Sequence, residues 1–402
     1  MNTSQNERLA IVTRVFTLFN ILGMLWLQLH FLGLEGQGKM AWVSTAIVIF
    51  TQYSQWIGGG AMAFLMTRVS PKKLLFPVAA WIAFGELIFL ALLFLFLDEP
   101  FQIWQWLTIL ALCSIQALFT AFQNMLLGKN RTRDYHTTIL VQTSTTLIFT
   151  GIGLWIAPQI SSVLAAMLLS FMITAGVSGK MIQDQIWPME TENWHTHLTD
   201  LFHHGKYVQG ANTLLLILVR TPIYLIPYLS NGSFAMAGMY SILLYLSEGI
   251  LLATKSFSVV QFAAICNTPS STESWNITQK TLLKSVVVAT ILSIAWLVTP
   301  VQLLGVFMDA PWSDLKMTSY YFLPGIFLQS MSLIWLHLFS GTGYFRYNFH
   351  NAMVTFLAGI FSMMLLQKDL VGTAMSLTIA WTVQWCVYLL LVVRWRKLEQ
   401  VH

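Results

Sequence analysis

The chain has 402 residues, 56% hydrophobic and only 9% charged, with a mean hydropathy of +0.67 and a formal net charge of +5. Soluble domains carry about 25% charged residues, so this composition excludes a soluble protein and predicts an all-α polytopic membrane protein. The positive excess is spread through short loops rather than gathered into a dense Lys/Arg run, which argues against a nucleic-acid partner and fits orientation signals.

A membrane span needs about 20 apolar residues at 1.5 Å rise each. Twelve segments meet that length: roughly 10–32, 40–66, 73–97, 101–127, 137–157, 159–180, 207–229, 234–264, 283–307, 317–340, 347–367 and 370–393. All are expected to be helices, because an unpaired backbone is not tolerated in lipid. The first apolar run, Ile11 to Leu32, is too long for a signal-peptide core and has no A-x-A-like exit, so no cleavable leader is expected.

The loops test the count. With both termini cytoplasmic, the inner segments hold Arg8, then Arg68, Lys72 and Lys73, then Lys129, Arg131 and Arg133. They continue with Lys180, Lys206, Lys280, Lys284 and Arg346 and close with Arg394, Arg396 and Lys397. The outer loops hold only Lys39, Lys316 and Lys368. Such a bias predicts an even number of spans and a cytoplasmic N-terminus. Trp42, Trp104, Trp106, Trp155, Trp312 and Trp395 fall near predicted helix ends, as interface anchors do.

The longest polar stretch, Lys180 to Lys206, divides the spans six and six. It sets the expected organisation: an N-terminal lobe over 1–183, a cytoplasmic linker over 184–205 and a C-terminal lobe over 206–402. Its histidines, His195, His197, His203 and His204, lack a Cys or a well-spaced carboxylate, so no metal site is expected. Cys113, Cys266 and Cys386 lie far apart in apolar segments and read as small buried hydrophobes. The halves resemble each other: Gly128 and Arg133 in the turn after the fourth span match Gly341 and Arg346 after the tenth, at the same offset. Two like halves starting on the same side imply repeats related by an axis along the membrane normal, with a cleft between them.

Charges inside spans are expensive and mark pathways or substrate sites. On the seventh span, Gln209, Thr213, Arg220 and Tyr224 share a sector of the helix, and Lys206 extends the stripe to its cytoplasmic end. On the eighth, Glu248 and Lys255 are seven residues apart and share a face, with Tyr240 and Ser258 nearby. On the first, Arg14, Thr17 and Gln28 share a face. Arg binds phosphate and carboxylate bidentately and stays charged. Arg220, Arg14 and Lys255 are therefore expected to hold an anionic substrate, with Tyr224 and Gln209 beside them. Glu248 and Glu86 are the candidates for ion coupling. The competing reading pairs these charges internally: Glu248 with Lys255 or Arg220, and Glu86 with Arg14. His30 and His337 read as structural, and Gly58–Gly59–Gly60–Ala61 and Gly151–Ile152–Gly153 as places of close helix packing. Pro222, Pro227 and Pro324 are candidate kinks. Neither G-x-x-x-x-G-K-[ST] nor G-x-S-x-G occurs, so neither ATP hydrolysis nor a bound cofactor is expected.

Several stretches resemble a known family. LGLEGQGKMAW (32–42) is similar to the turn after the first helix of Wzx-type polysaccharide flippases, in the multidrug/oligosaccharidyl-lipid/polysaccharide (MOP) exporter superfamily. AGMYSILLYLSEGILL (237–252) looks like that family's eighth helix, and residues 322–366 resemble its tenth and eleventh. LQKDLVGTAMSLTIAW (366–381) resembles the entry to the twelfth, with Gln367 and Leu370 where Pro and Gly are commoner. The resemblance implies two six-helix lobes in a MATE/MOP-like V. It also implies an undecaprenyl-pyrophosphate-linked oligosaccharide, such as an O-antigen or capsule repeat unit, as substrate. Translocation would cross the bacterial inner membrane by alternating access, driven by an H+ or Na+ gradient, with membrane lipid and glycan polymerase machinery as further partners. The alternative within the fold is a MATE-type cation or drug antiporter, which uses acidic residues in its N-lobe. Here the first span offers Arg14, and Glu86 is the N-lobe's only buried carboxylate. A lipid II flippase of the MurJ type has two extra C-terminal helices, whereas twelve spans are counted here. A membrane glycan polymerase or ligase needs a large outer loop, and the outer loops here are short.

Overall fold

The computed structural model describes residues 3–399 apart from 60–61, 63–64, 67–68, 96–100, 130, 189, 192–193, 231, 267, 269, 308–309 and 368. Among those residues it is all helical. The helices are α1 (Thr3–Gly58), α2 (Pro71–Leu95), α3 (Ile103–Gly128), α4 (Thr132–Ile156), α5 (Ile160–Ile186) and α6 (Trp194–Leu229). They continue with α7 (Ala235–Cys266), α8 (Ser271–Val298), α9 (Val301–Phe307), α10 (Trp312–Gly341), α11 (Phe345–Leu366) and α12 (Leu370–Glu399). All but α9 are long and apolar enough to cross a membrane, eleven among the described residues.

The first of these is two spans. At Gly33 the backbone takes φ 65° and ψ −172°, a region open essentially to glycine alone. Before it, Gly23 faces Leu147 and Leu27 faces Gly151, so residues 3–32 run parallel to α4. After it, Trp42 packs edge-on against Trp106 at 5.3 Å, and Asn124 donates to the Gly58 carbonyl at 2.9 Å, so residues 34–58 run parallel to α3. The helices α3 and α4 form a hairpin, with Gln142 bonded across it to Gln116 at 2.6 Å. The two arms of α1 are therefore antiparallel, and the described residues hold twelve spans, the number predicted.

Surface and interior are inverted relative to a soluble protein. Ile152, Phe361, Met364 and Leu390 are more than half exposed, while Thr138, Ser170, Thr174, Ser178, Asn351 and Thr355 are fully buried. Their hydroxyls and amides are absorbed internally: Ser170 bonds Thr145 and Thr146 at 2.6 and 2.8 Å, and Asn351 donates to the Gln384 carbonyl at 3.3 Å. Apolar outside with small polar residues between helices is how chains pack in lipid, and the protein is a multi-pass membrane protein.

The chain forms two compact units, Met1–Thr213 and Leu214–His402, and the division falls inside α6. In the first unit α3 and α5 pack together and against α1 and α4 around Trp106, Leu112, Cys113 and Met125. In the second, α10 packs on α7, α8 and α12, and α11 on α12. Glycines permit some of these approaches: a Cβ on Gly325 would meet the Thr378 backbone at 2.8 Å, and one on Gly58 would lie 3.3 Å from Val78.

Several expectations need correction. The ninth span does not extend over 283–307: α8 ends at Val298, Pro300 interrupts the chain, and α9 follows as a separate short helix. Within the stretch expected as a linker, α6 has already begun at Trp194 and continues unbroken into the seventh span. The strap before it is held to α2, where the Glu190 amide donates to the Lys72 carbonyl and Lys73 lies 3.7 Å from the Glu190 carboxylate. Trp106, Trp312 and Trp395 are core residues rather than interface anchors, each 5% exposed or less. Of the three cysteines only Cys113 is buried, and Cys266 and Cys386 are exposed. Arg68, Asp98, Glu99, Glu192, Asp309 and Lys368, and Gly60 and Ala61, lie outside the described residues, as do the side chains of Arg8 and His204.

Candidate functional site

Arg220 sits near the middle of the span formed by α6, five residues before the exposed Leu225 and between the buried Leu218 and Ile223. Its Nη2 donates to Glu248 Oε1 on α7 at 2.6 Å. The Arg220 side chain is 12% exposed and that of Glu248 34%, so the pair is sealed on the arginine side and open on the carboxylate side. The Nε of Arg220 is buried with no hydrogen-bond partner. A guanidinium carries five donors in a rigid fork, and a buried donor left unmade is costly. The group therefore keeps donor capacity beyond Glu248.

Two local features fix this geometry. Tyr240 of α7 is buried and donates its hydroxyl to the Val219 carbonyl at 2.7 Å, one residue from Arg220. Pro222 follows two residues later inside α6, and Pro227 five beyond that. Proline has no N–H to close the bond to the preceding turn, so the helix is locally weakened next to the charge.

Lys255 lies two turns further along α7 and is exposed. It falls within electrostatic range of His337 on α10, whose ring lies 5.7 Å from that of Phe262. Of the two internal pairings weighed for Glu248, Arg220 is the partner observed. Tyr224, one turn beyond Arg220, is half-buried in the second unit.

Gln209 belongs to the first unit. It accepts from Gln52 of α1 at 2.9 Å, and one turn on Thr213 accepts from the Trp56 indole at 2.9 Å. The matched i, i+4 spacing on both helices makes these two bonds a ladder. The polar stripe Gln209–Thr213–Arg220–Tyr224 is thus divided between the two units. Glu86 of α2 accepts a hydrogen bond from Ser114 of α3. The side chain of Arg14 lies outside the described residues. No group of three or more His, Cys, Asp or Glu able to hold a metal occurs among the described residues.

Sequence reasoning missed Ser114, Gln52 and Trp56. A serine, an amide and an indole inside apolar spans carry no charge signal, and their partners lie 28 to 157 residues away.

No protein-family model and no curated protein sequence matches the chain. Solved structures do. A MATE-family multidrug-resistance transporter of the MOP superfamily, inward-facing, aligns with a TM-score of 0.73 at 12% identity over 97% of this chain and 98% of its own. The chain has the MOP-transporter fold. The lipid II flippase MurJ in an inward closed conformation aligns at 0.75 and 14% identity, over 97% of this chain and 87% of MurJ. A MOP-superfamily transporter from Pyrococcus furiosus, described as having a binding pocket of reverse polarity that suggests a different function, aligns at 0.68 and 13% identity over 98% and 97%.

Proposed function

We propose that this chain is a flippase that carries an undecaprenyl-pyrophosphate-linked oligosaccharide across the bacterial inner membrane, with both termini cytoplasmic and an ion gradient as the drive. The observation that carries the reading is Arg220: a largely buried cation in an apolar span, whose buried Nε is left over after Glu248 has been served. Pyrophosphate oxygens match that donor set, and Arg holds them bidentately. Lys255 is a further cation on the same pair of helices, and Tyr224 lies one turn from Arg220. The fold supports the reading in kind, since among proteins with this architecture one is a lipid II flippase and others are drug transporters. Polarity of charge then separates the two classes, and Arg220 favours an anion.

Glu248 is the coupling candidate of this reading. Its carboxylate neutralises Arg220 and is the more accessible of the two. Substrate phosphate and Glu248 compete for one guanidinium, so protonation or cation binding at Glu248 releases Arg220 to the substrate.

One observation favours the MATE-type alternative. Glu86 is a half-buried carboxylate in the first unit that accepts a hydrogen bond from the neutral hydroxyl of Ser114. The two readings separate cleanly in cells. Arg220→Ala is expected to abolish surface glycan while lipid-linked repeat units accumulate on the cytoplasmic face and the protein still inserts. A cation antiporter predicts no change in surface glycan and a loss of drug resistance in Glu86→Gln.

A further inference from the structure

A groove of about 500 Å3 runs between α3 and α5 in the first unit. Leu118 and Phe122 of α3 wall it, and Gly176 and Gly179 of α5 form its floor. A Cβ on Gly176 would meet nothing within 4 Å, and one on Gly179 would lie 3.3 Å from the Phe122 ring. The depth of the groove therefore comes from side chains that are not there.

The rim is different in kind. Lys180, Gln183 and Trp187 follow at helical spacing on the same face, and all three are exposed, Trp187 by 56%. Lys180 forms no ion pair among the described residues, although Asp184 follows it at i+4. Among nearby cations, Arg131 is committed to Asp134 and the Met181 carbonyl and Lys129 to the Met66 carbonyl, while Arg133 is exposed and does not line the groove. From Gly176 to the end of α5 the helix rises about 15 Å, half the thickness of a bilayer's hydrocarbon core. Over that length the groove passes from an apolar floor, about 6 Å along the helix from Gly176 to Lys180, to an amine, an amide and an indole N–H. A lysine in this position reaches the headgroup level by extending its stem along the apolar wall, and a tryptophan at a span end sits at that level already.

We propose that this groove binds one anionic phospholipid, its acyl chain lying over Gly176 and Gly179 and its phosphate held at Lys180, Gln183 and Trp187. Charge complementarity selects the lipid: the groove offers one uncommitted cation and an apolar seat. A zwitterionic lipid brings its own ammonium to the rim, and free phosphate brings no chain.

The test uses the full chain in detergent, stripped of lipid and titrated separately with phosphatidylglycerol, phosphatidylcholine and inorganic phosphate under native mass spectrometry. Phosphatidylglycerol is expected to bind preferentially. Lys180→Gln is expected to lower its binding about fivefold, the worth of one lysine at an anionic surface, with phosphatidylcholine unchanged and Lys180→Arg at wild-type strength. Gly176→Leu projects into open space, so the fold is kept, and it is expected to lower binding of both lipids by filling the seat. Equal binding of the two lipids by the wild type overturns the proposal, as does wild-type phosphatidylglycerol binding in either Lys180→Gln or Gly176→Leu. Inorganic phosphate binding as tightly as the lipid overturns it in favour of a bare anion site. A dimer of the wild type that Gly176→Leu dissolves overturns it in favour of a second copy's helix.

Discussion

Arg220 and Glu248 stand 28 residues apart in sequence and 2.6 Å apart in space. The pair can be glue between α6 and α7, a substrate site, or both, and the two roles respond differently to substitution. Glu248→Ala leaves a buried guanidinium without its counter-charge. This is expected to cost about 2 kcal/mol, below the figure for a fully buried pair because Glu248 is partly open to solvent. The double variant Arg220→Met/Glu248→Met removes both charges and is expected to recover most of that loss, measured as thermal unfolding in detergent. Transport is expected to stay absent in the double variant. Recovery of transport together with stability would make the pair structural only. Arg220, Glu248 and Lys255 were legible in the sequence because a charge in an apolar run is conspicuous. The choice of partner was not, since Lys255 lies seven residues from Glu248 on its own helix and Arg220 lies on another. Nor was the capture of Gln209 by Gln52, because two uncharged amides 157 residues apart show no pattern.

At the scale of elements, the count of spans was legible and their ends were not. Length and apolarity mark where a helix can sit in lipid, but a helix continues wherever its backbone bonds close, so α6 begins in polar sequence at Trp194. Tryptophans near span ends read as interface anchors, yet Trp106 and Trp395 are 1% exposed because neighbouring helices cover them. The turn between the first two spans was visible as a glycine-rich stretch, LGLEGQG, without showing which glycine makes it. Gly33 does, with its positive φ. Gly33→Ala is expected to destabilise the protein by about 1–3 kcal/mol, whereas Gly176→Ala, on a helix with free space around it, is expected to be neutral or slightly stabilising. Equal unfolding temperatures for the two would contradict the assignment of the turn to Gly33.

For the whole molecule, the twelve spans among the described residues follow from the pattern of apolar segments, while the division into two compact units falls inside α6 at Thr213 and Leu214. Orientation rests on the bias of Lys and Arg and is open to direct test. Ser233→Cys, in the turn between α6 and α7, is expected to react with a membrane-impermeant maleimide added to intact spheroplasts. Thr342→Cys, in the turn between α10 and α11, is expected to react only after permeabilisation. The reverse pattern would invert the topology and the direction of transport with it. The central claim, an anionic lipid-linked substrate moved through a site centred on Arg220, is tested most directly by reconstitution. Purified protein in liposomes loaded with an undecaprenyl-pyrophosphate-linked oligosaccharide is expected to speed the appearance of the glycan to an external glycosidase above protein-free liposomes. Arg220→Ala is expected to return it to the protein-free rate. Wild-type protein that performs no better than empty liposomes, or Arg220→Ala that performs as well as wild type, would contradict the account.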